Sequence, residues 1–227
     1  MTQRRRMKYL SSIMIGVMLT VWLLFAVMEF RSATKAHGWR KFIRLLAAMC
    51  IGVGGLGFFG TSFIAIGALN QLPGSFEWPI GYATGVVSTK DNYFVVPHTP
   101  SGRVQIYDSK WRYLRGWNVD ASAGTFKLHV TDTNRIHVVT ARRQMHYVYD
   151  LNGNVVSSEH YLATGRSYSS FPEEGGSYFV PTPVWLWVFT SPFYSWLTAA
   201  IGLGLFALND RLKRKTTRAS VPCAERK

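Results

Sequence analysis

Residues 86–163 carry one pattern twice, 42 positions apart, and this repeat constrains the fold more than any other feature of the chain. Val86–Ala121 aligns with Leu128–Ala163 without a gap. Thr89 falls on Thr131, Asn92 on Asn134, Val96 on Val138, Tyr107 on Tyr149 and Asp108 on Asp150. Other positions match in kind: Phe94 with Ile136, Ile106 with Val148, and Tyr113-Leu114 with Val155-Val156. Each copy reads as turn, apolar strand, polar link, strand ending in Tyr-Asp, tight turn, strand. Self-similarity at this spacing marks a repeated supersecondary unit, and a period in the low forties suits four strands per unit. The two units span 85–121 and 124–163.

Three apolar segments flank the repeat: Tyr9–Phe30, Leu45–Leu69 and Val184–Leu208. The first has Glu29 near its end, and the other two contain no charge. A bilayer core is crossed by about 20 apolar residues in helix, so the segments predict transmembrane helices over 9–30, 45–69 and 184–208. The last begins Val184-Trp-Leu-Trp and continues through Phe189, Pro192, Tyr194 and Trp196. Trp and Tyr favour the headgroup boundary, and Pro192 restarts a helix rather than continuing one. A short interfacial helix over Val184–Thr190 is therefore expected before the spanning run. The remaining parts are a basic flank (1–8), a basic loop (31–44), a β domain (70–183) and a basic tail (209–227). The expected fold class is membrane α + β, with the β domain between the second and third helices.

The chain has 26 Lys and Arg against 12 Asp and Glu, a formal charge of +14. The excess lies beside the apolar segments: Arg4, Arg5, Arg6 and Lys8, then Arg31, Lys35, Arg40, Lys41 and Arg44, then Arg211 through Lys227. The β domain is nearly neutral. A nucleic-acid-binding domain concentrates base on its own surface, so nucleic acid is not an expected partner. Base beside spans reads instead as a topology signal and as attraction to anionic headgroups. With three spans, the loop and tail share one side, and placing that side inside sets the larger basic group in the cytoplasm. This puts the β domain on the non-cytoplasmic side of a bacterial inner or plasma membrane. The N-terminal Arg4-Arg5-Arg6 run opposes that orientation, because it resembles the flank of an uncleaved signal anchor. A first segment that re-enters instead of spanning would satisfy all three basic clusters.

Small residues let helices approach closely in lipid. Ala48 and Gly52, the row Gly57, Thr61 and Ala65, and the pair Ala200 and Gly204 are the candidate contact positions. No charge lies at the centre of a span, which argues against an ion or proton pathway.

Within the β domain, strands are predicted over Tyr93–Val96, Arg103–Tyr107, Arg112–Gly116, Phe126–Val130, Ile136–Thr140, His146–Tyr149 and Val155–Ser158. Turn signals separate them, and Asn152-Gly153 is the strongest, since both residues tolerate positive φ. Gly102-Arg-Val-Gln-Ile-Tyr-Asp followed by Tyr113-Leu-Arg-Gly-Trp resembles a blade of the NHL-type β-propeller family, as does Tyr147-Val-Tyr-Asp-Leu-Asn-Gly-Asn-Val-Val. The resemblance covers about a third of the chain and implies a two-blade, propeller-like domain that binds proteins. The second copy departs from the pattern, with Gln144-Met-His where the first has Gly102-Arg. Propellers typically close with 4–8 blades, so two leave open edges, a hazard that must be managed. The edges are closed by self-association, by flanking residues such as Phe76–Tyr82 and Tyr161–Val180, or by docking on another protein.

Candidate chemistry is sparse. Asp108 and Asp150 begin turns, and an Asp accepting backbone N–H bonds in its own turn explains both without catalysis. His98, His129, His137, His146 and His160 show no metal-binding spacing, and His129 and His137 share a face only if their strands pair in register. Cys50 and Cys223 are isolated and are expected to be inert. Gly52-Val-Gly-Gly-Leu-Gly lies inside an uncharged apolar run and reads as packing, not as a dinucleotide loop. No cofactor, metal or enzymatic activity is expected. The composite expectation is a scaffold or accessory subunit of a membrane complex, binding other subunits or further copies of itself. Trp111, Trp117, Arg103 and Arg115 are the candidate partner-binding residues, and Asp108, Asp150, Asn152 and Gly153 the repeat turns. A membrane sensor for a small ligand is the alternative, and a membrane enzyme the third.

Overall fold

The computed structural model describes residues 2–35, 37–65 and 72–219. Positions 66–71, at the expected end of the second span and start of the β domain, and 220–227, with Cys223, lie outside the described residues. The chain divides into two compact units, Met1–Phe58 with Phe193–Lys227, and Phe59–Pro192.

The first unit is helical. α1 runs Thr2–Thr34, and α2 begins at Trp39 and reaches Ala65. The basic flank and most of the basic loop are thus helical, because no residue breaks the helix before Gly38, which sits at φ 60°. α3 runs Pro192–Ala219, with proline at the first turn, where its missing N–H costs nothing. Two helical stretches are long and apolar enough to cross a membrane, Gly16–Thr34 and Trp39–Ile64. α3 has 28 residues but enters the charged run from Asp210 onward, and is not one of the two.

Close approach of the helices is set by glycines. A Cβ on Gly54 would lie 2.5 Å from Ala199 N and Ser195 O, and one on Gly202 would lie 2.8 Å from Ala47 O. Gly55 receives the Trp22 ring. At one end Arg44 gathers the three helices. Its guanidinium donates to Ser32 Oγ at 3.1 Å and Asp210 Oδ1 at 3.2 Å, and lies over the Phe206 ring.

The second unit is built on two antiparallel sheets. The strands are β1 (Tyr82–Ser88), β2 (Phe94–His98), β3 (Arg103–Tyr107), β4 (Tyr113–Asn118), β5 (Phe126–Val130), β6 (Ile136–Thr140), β7 (Met145–Tyr149), β8 (Val155–His160) and β9 (Gly176–Phe179). The sheet orders are β4-β3-β2-β1-β9 and β5-β6-β7-β8. Each repeat copy is therefore a four-stranded meander, and the first gains β9 as a fifth strand.

The copies match turn by turn. Phe94 pairs with Tyr107, and Ile136 pairs with Tyr149. A register shift falls before Tyr107 in one and before Tyr149 in the other. Asn92 and Asn134 both have positive φ, as do Gly102 and Gln144, and Trp111 and Gly153. Copy one uses Gly at the second of these positions and copy two uses Gly at the third, so the backbone geometry outlasts the residue identities. The sheets bury a common core that includes Val95, Val104, Ile106, Leu128, Ile136, Val138 and Tyr149.

Flanking segments pack on both sheets. Ile80 and Val180 pack on Val96 and Tyr107 of the first sheet, and Tyr161 and Phe171 pack on Val139 of the second. β1 and β9 have no counterpart among the predicted strands. Gly85 sits at φ 73° in a bulge between Ala83 and Val86, which hides the alternation of β1. β9 has four residues and two neighbouring glycines, too little pattern to read as a strand.

Candidate functional site

Each repeat turn is closed by its own aspartate. Asp108 Oδ1 accepts the N–H groups of Lys110 and Arg112, and its Oδ2 accepts from Arg112 Nε at 2.6 Å. Asp150 Oδ1 accepts the N–H groups of Asn152 and Asn154, and its Oδ2 accepts from Asn154 Nδ2 at 3.0 Å. These bonds hold both carboxyls below the usual carboxylate range, with the Arg112 backbone bond foremost at Asp108 and the Asn154 side chain at Asp150. A carboxylate saturated by its own turn is a poor base.

The second turn meets the first sheet. Arg115 on β4 donates to Asn152 Oδ1. Trp117 lies against Gly153, where a Cβ would come within 2.7 Å of the indole, and meets the Tyr149 ring at a tilt with centres 5.5 Å apart. Beside this contact is an open groove of ≈ 280 Å³, lined by Tyr93, Ile106, Leu114, Arg115, Leu151 and Asn152.

The other two expected partner-binding residues sit differently. Trp111 is half-buried, stacked on Phe94 at 4.4 Å and close to Tyr178. Arg103 is fully buried, which corrects its placement on a binding surface. It donates to Asn118 Oδ1 at 2.7 Å and to the carbonyl of Phe76 at 3.0 Å. It belongs to a row of polar side chains that fixes residues 74–78 to the sheet. Gln105 accepts from Trp78 N–H at 2.7 Å and donates to the Trp78 carbonyl at 3.0 Å. Tyr107 donates to Glu77, and Tyr113 donates to the carbonyls of Gly74 and Phe76. Buried polar groups need such partners, and these side chains meet the backbone needs of an irregular segment.

Among the described residues β4, β5, β8 and β9 are sheet edges, and β8 is the one with six exposed residues. It pairs only with β7, and all six of its residues are exposed, including Val155 and Val156. A long exposed edge is a template for another strand.

A row of histidines leads to it. His129 stacks on His137 with ring centres 4.5 Å apart, and His137 on His146 at 5.1 Å. His146 Nδ1 lies 2.9 Å from Glu159 Oε1 on β8, and His137 Nδ1 lies 2.9 Å from His146 Nε2. A carboxylate only accepts, so Nδ1 of His146 carries the proton. In the neutral ring Nε2 then accepts from His137. Burial, with His129 and His146 nearby, pushes His137 down to about 4. The His146 hydrogen bond holds Glu159 below its ordinary value. Among the described residues no group of three His, Cys, Asp or Glu has metal-holding geometry. The pairing of His129 with His137 is the in-register case the sequence left open, whereas the extension to His146 and Glu159 depends on the pairing of β6, β7 and β8.

Of the helix-packing candidates, Ala48, Gly57 and Thr61 are buried. Gly52 and Gly204 have open space where a side chain would go. Ala200 is half-buried, and the surroundings of Ala65 lie outside the described residues. Gly54, Gly55 and Gly202, which make the close contacts, were not singled out by spacing. No known family model matches the chain, and a search of curated proteins finds no relative.

Proposed function

We propose that the chain is a membrane-anchored accessory subunit whose β domain binds another polypeptide by adding its strand to β8. In this reading α1, α2 and α3 all span, the repeat copies are two propeller-like blades, and the domain lies on the non-cytoplasmic side. The observation that carries the binding role is the six-residue β8, exposed along its whole length and unpaired on its outer side. Main-chain hydrogen bonds at such an edge supply affinity, and alternate side chains supply specificity. Ile80 and Val180 pack on the first sheet and Tyr161 and Phe171 on the second, which favours a different polypeptide over pooled blades as the occupant of the edge.

The test is the double variant Val156→Lys with Ser158→Lys, since charge on an edge blocks strand addition. Both residues are exposed, so the domain keeps its melting temperature while the complex extracted in mild detergent dissociates. A complex that survives the double variant removes β8 from the interface.

A second reading, a ligand sensor, draws on the groove at the sheet junction, where Arg115 offers a charge beside Leu114 and Leu151. It requires a ligand-dependent change in melting temperature that Arg115→Ala abolishes and the β8 variant retains.

A further inference from the structure

Outside the groove and the β8 edge, the β unit carries an uncharged aromatic ledge. Tyr82 on β1 pairs with Phe179 on β9, and their rings lie 5.1 Å apart. Phe179 continues to Trp187 at 6.3 Å, and Trp187 belongs to the 3₁₀ helix Val184–Phe189. Tyr82 is 54% exposed, Phe179 67%, Trp185 72% and Val184 85%. Neither 78–89 nor 175–190 contains a charged residue. Exposed edge strands in water are ordinarily protected by charge or proline, and contiguous apolar surface marks an interaction site.

The ledge is fixed to the domain. His98 Nε2 donates to the Thr190 carbonyl at 2.9 Å. Because a carbonyl only accepts, Nδ1 of His98 is the acceptor, and the Ser101 hydroxyl donates to it at 2.7 Å. Gly81 N–H donates to Thr182 Oγ1 at 3.1 Å, Val180 N–H to the Gly81 carbonyl at 2.7 Å, and Trp187 Nε1 to the Thr182 carbonyl at 3.2 Å. The 3₁₀ helix is therefore part of the β unit and not a loose linker. Thr190 is followed by Ser191 and then by α3, so the chain passes from the ledge into an apolar helix within two residues.

We propose that Tyr82, Phe179, Val184 and Trp185 form a docking surface for the bilayer interface, so that the β domain lies on the lipid instead of standing clear on a tether. Tyr and Trp partition to the headgroup boundary, where the ring meets acyl chain and the polar atom meets water. The free N–H and C=O groups of β9 find partners among headgroups and interfacial water, which hydrocarbon would not provide. A protein partner is the alternative occupant; the lack of charge and the immediate continuation into α3 favour lipid. The inference rests on the reading of α2 and α3 as spanning helices.

The experiment uses the full chain with Cys50→Ser and Cys223→Ser, carrying one new cysteine at Val184, Tyr82 or the β8 residue Ser157. Each is labelled with an environment-sensitive fluorophore and reconstituted into vesicles of phosphatidylcholine with a minority of phosphatidylglycerol. The expected result is quenching by doxyl-labelled lipid several-fold stronger at 184 and 82 than at 157, with the reverse order for aqueous iodide. Equal iodide access at all three positions in vesicle-integrated protein overturns the docking surface alone. Shielding from both quenchers at 184 and 82 also overturns it and assigns the ledge to protein. Failure to float with the vesicles after alkaline extraction overturns the spanning helices as well.

Discussion

Single residues hold the β domain together through polar groups placed where apolar ones would be expected. Gln105 satisfies both the N–H and the carbonyl of Trp78. Gln105→Ala leaves those groups unpaired in a buried site, so a loss of about 2–3 kcal/mol is expected in chemical denaturation; a loss near zero would mean that water replaces the amide. Acid acts through His98 and His137. Burial pushes both down to about 4, with Arg103 adding to the effect at His98 and neighbouring histidines at His137. The unfolded chain takes up these protons near the ordinary histidine value of about 6.5. Between those limits the unfolded state binds more protons, so stability falls as pH drops from about 6.5 to about 4. A melting temperature that holds or rises on acidification contradicts this, and His98→Gln is expected to flatten part of the slope. The burial of Arg103 was not legible in the sequence, because the partner that requires it is the carbonyl of Phe76, 27 positions away in an irregular segment.

Elements differ in how plainly the sequence announces them. β2 through β8 were readable because the Tyr-Asp ends and the turn residues recur at a fixed offset, and their positions in space follow the same offset. β1 and β9 were not, since the bulge at Gly85 and the shortness of 176–179 erase the period of two. The histidine row beyond His137 required knowing that β6, β7 and β8 pair in that order. The helices show a different limit. Spacing by fours selected Ala48, Gly57 and Thr61, which are buried, but also Gly52 and Gly204, which have open space, and it passed over Gly54 and Gly202, because helix phase and not spacing decides which small residue faces a neighbour. Gly202→Val is therefore expected to lower the melting temperature in detergent sharply, since its side chain would meet the α2 backbone at Ala47 and Ile51. Gly204→Val, with open space around it, is expected to be tolerated. The reverse order would show that a different helix arrangement exists in the membrane.

At the scale of the whole molecule, the repeat explains the two four-stranded meanders and the flanking segments add to the packing of each. Ile80 and Val180 pack on the first sheet, Tyr161 and Phe171 on the second, and β9 takes the free side of β1. Among the described residues β8 is an open edge exposed along its whole length, and Glu159 on that strand is bonded to His146 of β7. A preorganised edge loses little entropy when a strand adds to it. The most direct measurement is the mass of the complex extracted in mild detergent, by native mass spectrometry, for the wild-type chain and for Val156→Lys with Ser158→Lys. The expected wild-type mass exceeds that of one chain by a defined second polypeptide, and the variant releases the bare chain. A wild-type chain that runs alone, or a variant that keeps the same mass as wild type, contradicts the assignment of β8 as the binding edge.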